Sequence, residues 1–149
     1  MNPSDYAAFK ASIQADGTLA AAVTAQDWPT IANAYNAASS PSVMVWRPSI
    51  PVAELNNAID WTGGANGFSL LSIAKQNAYF ALTQGGTVDS TQVNIRNGFG
   101  AIFPATIATA LATVAQVQAT RFQALFSTGN VTTYFGYQVS PSDVQQAMK

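Results

Sequence analysis

Apolar side chains recur every three or four residues along most of the chain, the spacing that places them on one face of a helix. In the first segment Tyr6, Phe9 and Ile13 set this period. Ser4 is in position to cap this helix, and Asp16-Gly17 ends it. An Ala-rich helix over residues 19–25 and a third helix over residues 27–38 are predicted to follow.

The middle of the chain predicts three more helices. The first covers residues 51–59 and leads into a glycine-rich hinge or surface loop at residues 62–67. The second covers residues 68–82 and is apolar around most of its circumference. The third is capped by Asp89 or Ser90 and ends near Phe103-Pro104.

The longest periodic segment covers residues 106–127 and includes Leu111 and Leu125. We predict that it is one continuous helix and that it supplies the centre of the core, with both leucines buried. A last helix is predicted to open at Ser140. Because its apolar anchors are few, we expect this terminal helix and the loop at 62–67 to be mobile until a partner binds.

Two short segments have the composition of strands. Residues 43–47 are β-branched and aromatic, and residues 131–138 alternate and carry several aromatic side chains. We predict that the strands containing Val45 and Tyr134 pair. The 149 residues suit one core. The predicted fold is therefore mainly α, a compact multi-helix single domain over residues 1–149 with a minor two-stranded β element.

Charged residues are scarce in this chain, and their scarcity limits the kinds of partner that it can bind. Charged residues make up 9% of the sequence, against about 25% in typical domains, while 48% are hydrophobic. This balance excludes disorder as the main state. Six Lys and Arg residues and a net charge of −1 leave no basic stripe for a phosphate backbone. We therefore expect no direct sequence-specific nucleic-acid binding, no membrane span and synthesis in a cytoplasm.

The residue types that hold most metals and cofactors are missing from the sequence. Neither Cys nor His occurs, which removes thiolate ligands, thiol nucleophiles and the usual proton shuttle. The run of glycines at residues 63–67 is followed by Phe68, where a phosphate loop requires Lys and then Ser or Thr. We predict no metal, no cofactor and no nucleotide.

A carboxylate pair is the strongest catalytic candidate. Glu54 and Asp60 lie near Trp46 and Trp61 in sequence, and glycoside hydrolysis uses two carboxylates beside a sugar-binding cleft. Six residues apart on a helix, however, the two acids fall on different faces. Helix capping and solvation are the favoured interpretation, so no catalytic residue is assigned and the protein is predicted not to be an enzyme.

Tryptophan and arginine provide the candidate contact residues. Tryptophans in an Ala-rich protein anchor a core or an interface, and an isolated arginine in a charge-poor protein is typically held by a carboxylate or a carbonyl. Asp27 and Asp60 are natural partners for such arginines. The candidate interface residues are Trp46, Arg47, Trp61, Arg96 and Arg121.

Six short motifs resemble those of small proteins that tailed bacteriophages encode among their virion-morphogenesis genes. They are Tyr35-Asn36, Val45-Trp46-Arg47, Asp60-Trp61-Thr62, Val93-Asn94-Ile95-Arg96, Ala119-Thr120-Arg121 and Ala124-Leu125-Phe126. The resemblance implies a structural part of the virion, made in the bacterial host cytoplasm. Size and helicity favour a head-to-tail connector or adaptor of the neck. Such a protein forms a homo-oligomeric ring on the portal and contacts other neck or tail proteins.

A ring protein covers much of its surface with neighbouring copies, which agrees with the low charge of this chain. Three other functions stay open from the sequence. One is capsid decoration, and another is a small cytoplasmic module that binds a ligand or peptide with its tryptophan cluster. The third is a carbohydrate-cleaving enzyme, which needs Glu54 and a second acid in one cleft.

Overall fold

The structure, a computed structural model, describes residues 1–62, 64 and 67–149. In chain order its helices are α1 Pro3–Ala15, α2 Ala20–Thr24, α3 Trp28–Asn36, α4 Val52–Asn57, α5 Ile73–Thr83, α6 Val93–Ile102, α7 Ala105–Val114, α8 Arg121–Leu125 and α9 Pro141–Ala147. Its strands are β1 Met44–Trp46, β2 Ile50–Pro51, β3 Thr87–Val88, β4 Gln116–Gln118, β5 Ser127–Thr128 and β6 Val131–Thr132. The mainly α fold with minor β structure is confirmed, since the chain is 56% helical.

The chain divides into two compact units, each with its own buried apolar cluster. Unit 1 comprises residues 1–43 and 118–149, and unit 2 comprises residues 44–117. The glycine-rich loop that was predicted to be mobile falls within unit 2. Its residues 63, 65 and 66 lie outside the described residues. The single domain over residues 1–149 stays a prediction.

Helix starts in unit 1 follow local capping chemistry. Asn2, and not Ser4, caps α1, because its Oδ1 accepts the Asp5 N–H at 2.9 Å while Asp5 Oδ2 accepts the Asn2 N–H at 3.3 Å. Asp27 caps α3 by accepting the Thr30 N–H at 3.2 Å. Ser140 opens α9 with a reciprocal pair of bonds to Asp143, as its position in the sequence predicts.

Aromatic rings fill the centre of unit 1. The Phe9 ring meets the rings of Tyr35 and Phe122 edge to face, with centroids 4.9 and 5.0 Å apart. Val144 of α9 is fully buried in the same cluster, and Ala147 is 5% exposed. The terminal helix is thus packed on unit 1 through the few anchors that its sequence offers.

Tyr79 of α5 lies at the centre of unit 2. Its ring packs against Phe68, Phe99 and Phe103, and its hydroxyl donates to the Asn56 side-chain oxygen. Because the hydroxyl has this acceptor, the tyrosine is buried without an unsatisfied polar atom. Strands β2 and β3 form a short antiparallel pair beside this cluster, with Ile50 opposite Val88.

The continuous helix predicted over residues 106–127 is wrong. The helix stops at Val114, β4 follows, and α8 begins only at Arg121. The Ala115 carbonyl accepts the Arg47 N–H at 2.9 Å and so leaves the helical hydrogen-bond pattern. Thr120 then starts a new helix with a capping box to Gln123. Leu111 is buried at 4% exposure, but Leu125 is 38% exposed and does not belong to the core.

The predicted pairing of strands is also wrong. Val45 lies in β1 as expected, but the partner of β1 is β4 and not the segment around Tyr134. Within the predicted 131–138 strand, Val131 and Thr132 form β6, which pairs with β5 across a two-residue turn. Gly129 and Asn130 have positive φ in this turn, as a type I′ hairpin requires.

The helix predicted over residues 68–82 is interrupted. A single 3-10 turn covers Phe68–Leu70, Leu71 is extended, and Ser72 caps α5 by accepting the Lys75 N–H. None of the helices in the described ranges is both long and apolar enough to cross a membrane.

Candidate functional site

Arg96 lies against Trp46 in unit 2. Residue 96 falls in the first turn of α6, and its Cζ is 4.7 Å from the centroid of the Trp46 ring, a cation–π contact. Its Nη1 donates to the carbonyls of Ser90 and Thr91 at 2.6 and 2.8 Å. Two of the candidate interface residues are therefore in direct contact, and the guanidinium is fixed in place by ring and backbone together.

Ser90 ties this region to the neighbouring strand ends. Its N–H donates to the Arg47 carbonyl at 3.0 Å. Its hydroxyl lies 2.7 Å from the same carbonyl and 3.0 Å from that of Ala115, so one proton is shared between two acceptors. Ser90 was a candidate helix cap in the sequence, but it is Gln92 that precedes α6, without a side-chain cap. The buried hydroxyl instead positions the backbone beside Arg96.

A pocket opens next to the Arg96–Trp46 contact. Its volume is about 90 Å³ and its walls are largely apolar. Ile95, Phe99 and Leu111 contribute large side chains, whereas Ala108 and Ala112 leave space. Arg96 is the one charged residue among the described residues that line it, and Ser90 is a further polar residue there. We name this cavity the Arg96 pocket.

Arg47 is paired with Glu54. Its Nη1 and Nη2 donate to the two carboxylate oxygens at 2.5 and 3.2 Å, and Nη1 also donates to the Val114 carbonyl at 3.1 Å. The hydrogen bond from Arg47 lowers the pKa of the Glu54 carboxyl. Glu54 is thus an ion-pair partner on the first turn of α4, held in its charged form.

Asp60 has a different neighbour. Its Oδ1 accepts the hydroxyl and the N–H of Thr62 at 2.6 and 2.9 Å, and the hydroxyl bond lowers the pKa of the Asp60 carboxyl. A glycosidase needs one carboxyl with a raised pKa to act as the acid. In the structure Glu54 lies in an ion pair with Arg47 and Asp60 in a turn with Thr62, and the pKa of each carboxyl is lowered.

Trp61 does not join the other candidate residues around Arg96. Its Nε1 donates to the Asn56 carbonyl at 2.8 Å, and its ring stacks at a tilt on Phe68 with centroids 4.7 Å apart. It nevertheless stays 45% exposed. One part of the Trp61 side chain packs on Phe68 and Tyr79, and the rest is exposed.

Arg121 belongs to unit 1. Its Nη2 lies 2.5 Å from Asp16 Oδ2, and its Cζ lies 4.5 Å from the centroid of the Tyr35 ring. The carboxylate partners of the arginines are thus Asp16 and Glu54. The expectation of Asp27 and Asp60 is wrong, because those two acids bind the hydroxyls of the threonines that follow them.

The sequence did not identify the exposed apolar face of α5. Leu70, Ile73 and Phe80 are 62%, 75% and 54% exposed. Ile73 and Phe80 are seven residues apart, two helical turns, and so lie on one face. We call these three residues the α5 surface. Because the segment is apolar nearly all round, its sequence does not indicate which side is buried.

Across the described ranges, no three side chains from His, Cys, Asp and Glu are grouped as a metal site requires. Comparison of the chain with protein-family models, curated proteins and solved structures finds no match in any of the three. The candidate surfaces are therefore defined by this chain alone, as the Arg96 pocket and the α5 surface in unit 2.

Proposed function

We propose that the protein is a non-catalytic assembly component of a tailed-bacteriophage virion, a head-to-tail connector or adaptor of the neck that forms a ring on the portal. The observation that carries the proposal is the α5 surface. Side chains as large as Leu70, Ile73 and Phe80 are costly to leave in water, at about 25 cal/mol per Å² of apolar area. Ile73 and Phe80 lie on one face of α5 with the polar Gln76 and Asn77 between them. Exposed apolar side chains bordered by polar ones are found at surfaces that contact another protein.

The surroundings of this surface support contact with a protein over contact with a charged polymer. Lys75 is the single charged side chain within α5, and the whole chain has six Lys and Arg against seven Asp and Glu. Apolar side chains on a neutral surface are covered efficiently by a second copy or by a partner with a similar face. The sequence motifs that resemble those of phage morphogenesis proteins favour the virion as the assembly.

The chemistry of the acidic residues agrees with a structural role. The candidate catalytic acid Glu54 is engaged by Arg47, and Asp60 is engaged by Thr62. Both interactions stabilise the ionised forms and local backbone geometry. Both acids therefore have partners within the chain, which supports a structural role for them.

Two measurements test the proposal: whether purified virions contain the protein, and which oligomer the protein forms. Mass spectrometry of purified virions should detect the protein, and analytical ultracentrifugation should show a defined high-order oligomer, alone or after addition of the portal. The variant Ile73→Glu should keep its circular dichroism spectrum and lose that oligomer, because Ile73 is 75% exposed and adds nothing to the core. Val93→Glu is the matched control, since Val93 is 60% exposed and lies at the start of α6 outside the α5 surface. Absence from virions, or a protein that stays monomeric with its portal, would contradict the proposal.

A further inference from the structure

The Arg96 guanidinium has donors to spare at the edge of an apolar pocket. An arginine carries five N–H donors, and Nη1 of Arg96 is occupied by the carbonyls of Ser90 and Thr91. Nε and Nη2 have no acceptor within the part of the chain that the structure describes, and neither is a buried unsatisfied atom. Arg96 is the one charged residue in the described lining of the pocket, so it is the group there that can bind an anion.

The positive charge of Arg96 is not matched by an ion pair. The carboxylates with an arginine within 4.0 Å among the described residues are Glu54 and Asp16, which pair with Arg47 and Arg121. Asp89, the acid nearest in sequence, accepts hydrogen bonds from Thr91 and Gln92 instead. Although burial opposes it, hydrogen bonds from Thr91 and Gln92 and the charge of Arg96 lower the pKa of the Asp89 carboxyl. Arg96 therefore has a carboxylate in its neighbourhood but none in direct contact within the described ranges, and an anion in the pocket can still pair with it.

Three features select the chemistry of that partner. The planar fork of a guanidinium matches the two oxygens of a carboxylate. A single available cation suits one negative charge, because Arg47, the other arginine of unit 2, is already occupied by Glu54. The remaining walls are apolar, which favours a ligand whose other end is a hydrocarbon.

The size of the pocket limits that hydrocarbon. An engineered apolar cavity of about 150 Å³ holds benzene, whereas the Arg96 pocket measures about 90 Å³. The space is provided by small residues, chiefly Ala108, Ala112 and Gly100. It therefore accepts a group smaller than an aromatic ring, of the size of a short branched alkyl chain.

We propose that the Arg96 pocket binds a small aliphatic monocarboxylate, with its carboxylate on Nε and Nη2 of Arg96 and its short branched alkyl group among the alanines of α7. The indole of Trp46, stacked on the same guanidinium, forms one wall of the site. The site shares Trp46 and Arg96 with the candidate contact residues of the sequence but none with the α5 surface, so its binding can be measured apart from assembly through that surface.

The test uses 3-methylbutanoate as the probe and 3-methylbutanamide, its neutral isostere, as the matched control. Both are titrated into the full chain while the indole resonances are followed by NMR. The carboxylate should bind saturably and shift the Trp46 indole, and the amide should bind at least tenfold more weakly. Acetate should also bind at least tenfold more weakly, because it leaves the apolar part of the pocket empty.

Three variants locate the site. Arg96→Gln should weaken binding of the carboxylate at least tenfold, and Ala112→Leu should do the same by filling the pocket. Arg121→Gln should leave the affinity unchanged, since Arg121 lies in unit 1 and does not line the pocket.

Four results would overturn the proposal: no saturable binding of 3-methylbutanoate, equal affinity for acid and amide, full affinity in Ala112→Leu, or equal losses in Arg96→Gln and Arg121→Gln. Ala112→Leu retains every charge of the site, so it decides the question even if Arg96→Gln does not fold. Assembly of the wild-type protein is measured separately and has no bearing on these outcomes.

Discussion

Replacing Phe122 by Ala should destabilise unit 1 more than any comparable change at its surface. Phe122 is fully buried, and its ring centroid lies 5.0 Å from those of Phe9 and Phe126 and 5.1 Å from that of Tyr134. Truncation of a buried Phe costs about 3–5 kcal/mol, through lost transfer free energy and the cavity that remains. Domains of this size have a total stability of roughly 5–15 kcal/mol. The variant should therefore lose a large share of its free energy of unfolding.

Phe135 provides the matched control, because it is the same residue type in the same unit and is 36% exposed. We expect Phe135→Ala to change the free energy of unfolding by less than about 1 kcal/mol. Urea unfolding followed by far-ultraviolet circular dichroism and by the fluorescence of Trp28, which packs against the unit 1 cluster, measures both variants. A loss below about 1 kcal/mol in Phe122→Ala, or similar losses in the two variants, would refute this description of the core.

Two further predictions concern charge in the core and pH. Leu111→Asp should prevent folding of unit 2, because it buries an unpaired charge. Leu125→Asp should stay soluble and helical, because Leu125 is 38% exposed. A soluble, native-like Leu111→Asp protein would contradict this prediction. Burial, followed by the hydrogen bond to Asp5, raises the pKa of Tyr134 to about 12, against about 10 in an unfolded chain. The folded state therefore binds more protons between these values, so its stability is complete below about pH 10 and falls as the pH rises toward 12. In urea titrations across this range Tyr134→Phe should show a smaller decline than the wild type, and an equal decline would show that Tyr134 is not its source.

The starts of helices could be predicted from the sequence where the capping residue lies within a few residues of the groups it binds. Asp27 and Ser140 cap helices through backbone groups three residues ahead, so sequence spacing alone reveals them. The strand at Val45 is likewise indicated by β-branched neighbours and a following proline. The mainly α fold class follows from these short-range preferences.

The break within residues 106–127 was decided by partners far away in sequence. The alanines and threonines of this segment favour a helix throughout, and nothing within four residues of Ala115 marks an end. The end is imposed by the Arg47 N–H, which takes the Ala115 carbonyl, and by the pairing of β1 with β4. A hydrogen bond between distant segments overrides a propensity worth fractions of a kcal/mol per residue.

The candidate site likewise combines residues that the sequence indicates with contacts that only the fold creates. Trp46 and Arg96 are candidates in the sequence because tryptophan and isolated arginine stand out in an Ala-rich, charge-poor chain. Their contact with each other, however, depends on the fold of unit 2. Sequence also could not separate Arg47 and Arg121, which have carboxylate partners, from Arg96, which has none among the described residues. The sequence by itself determined which residues carry charge, rings and caps. The tertiary structure alone decided which of them meet and which apolar face stays in water, because packing depends on contacts between segments that the chain separates.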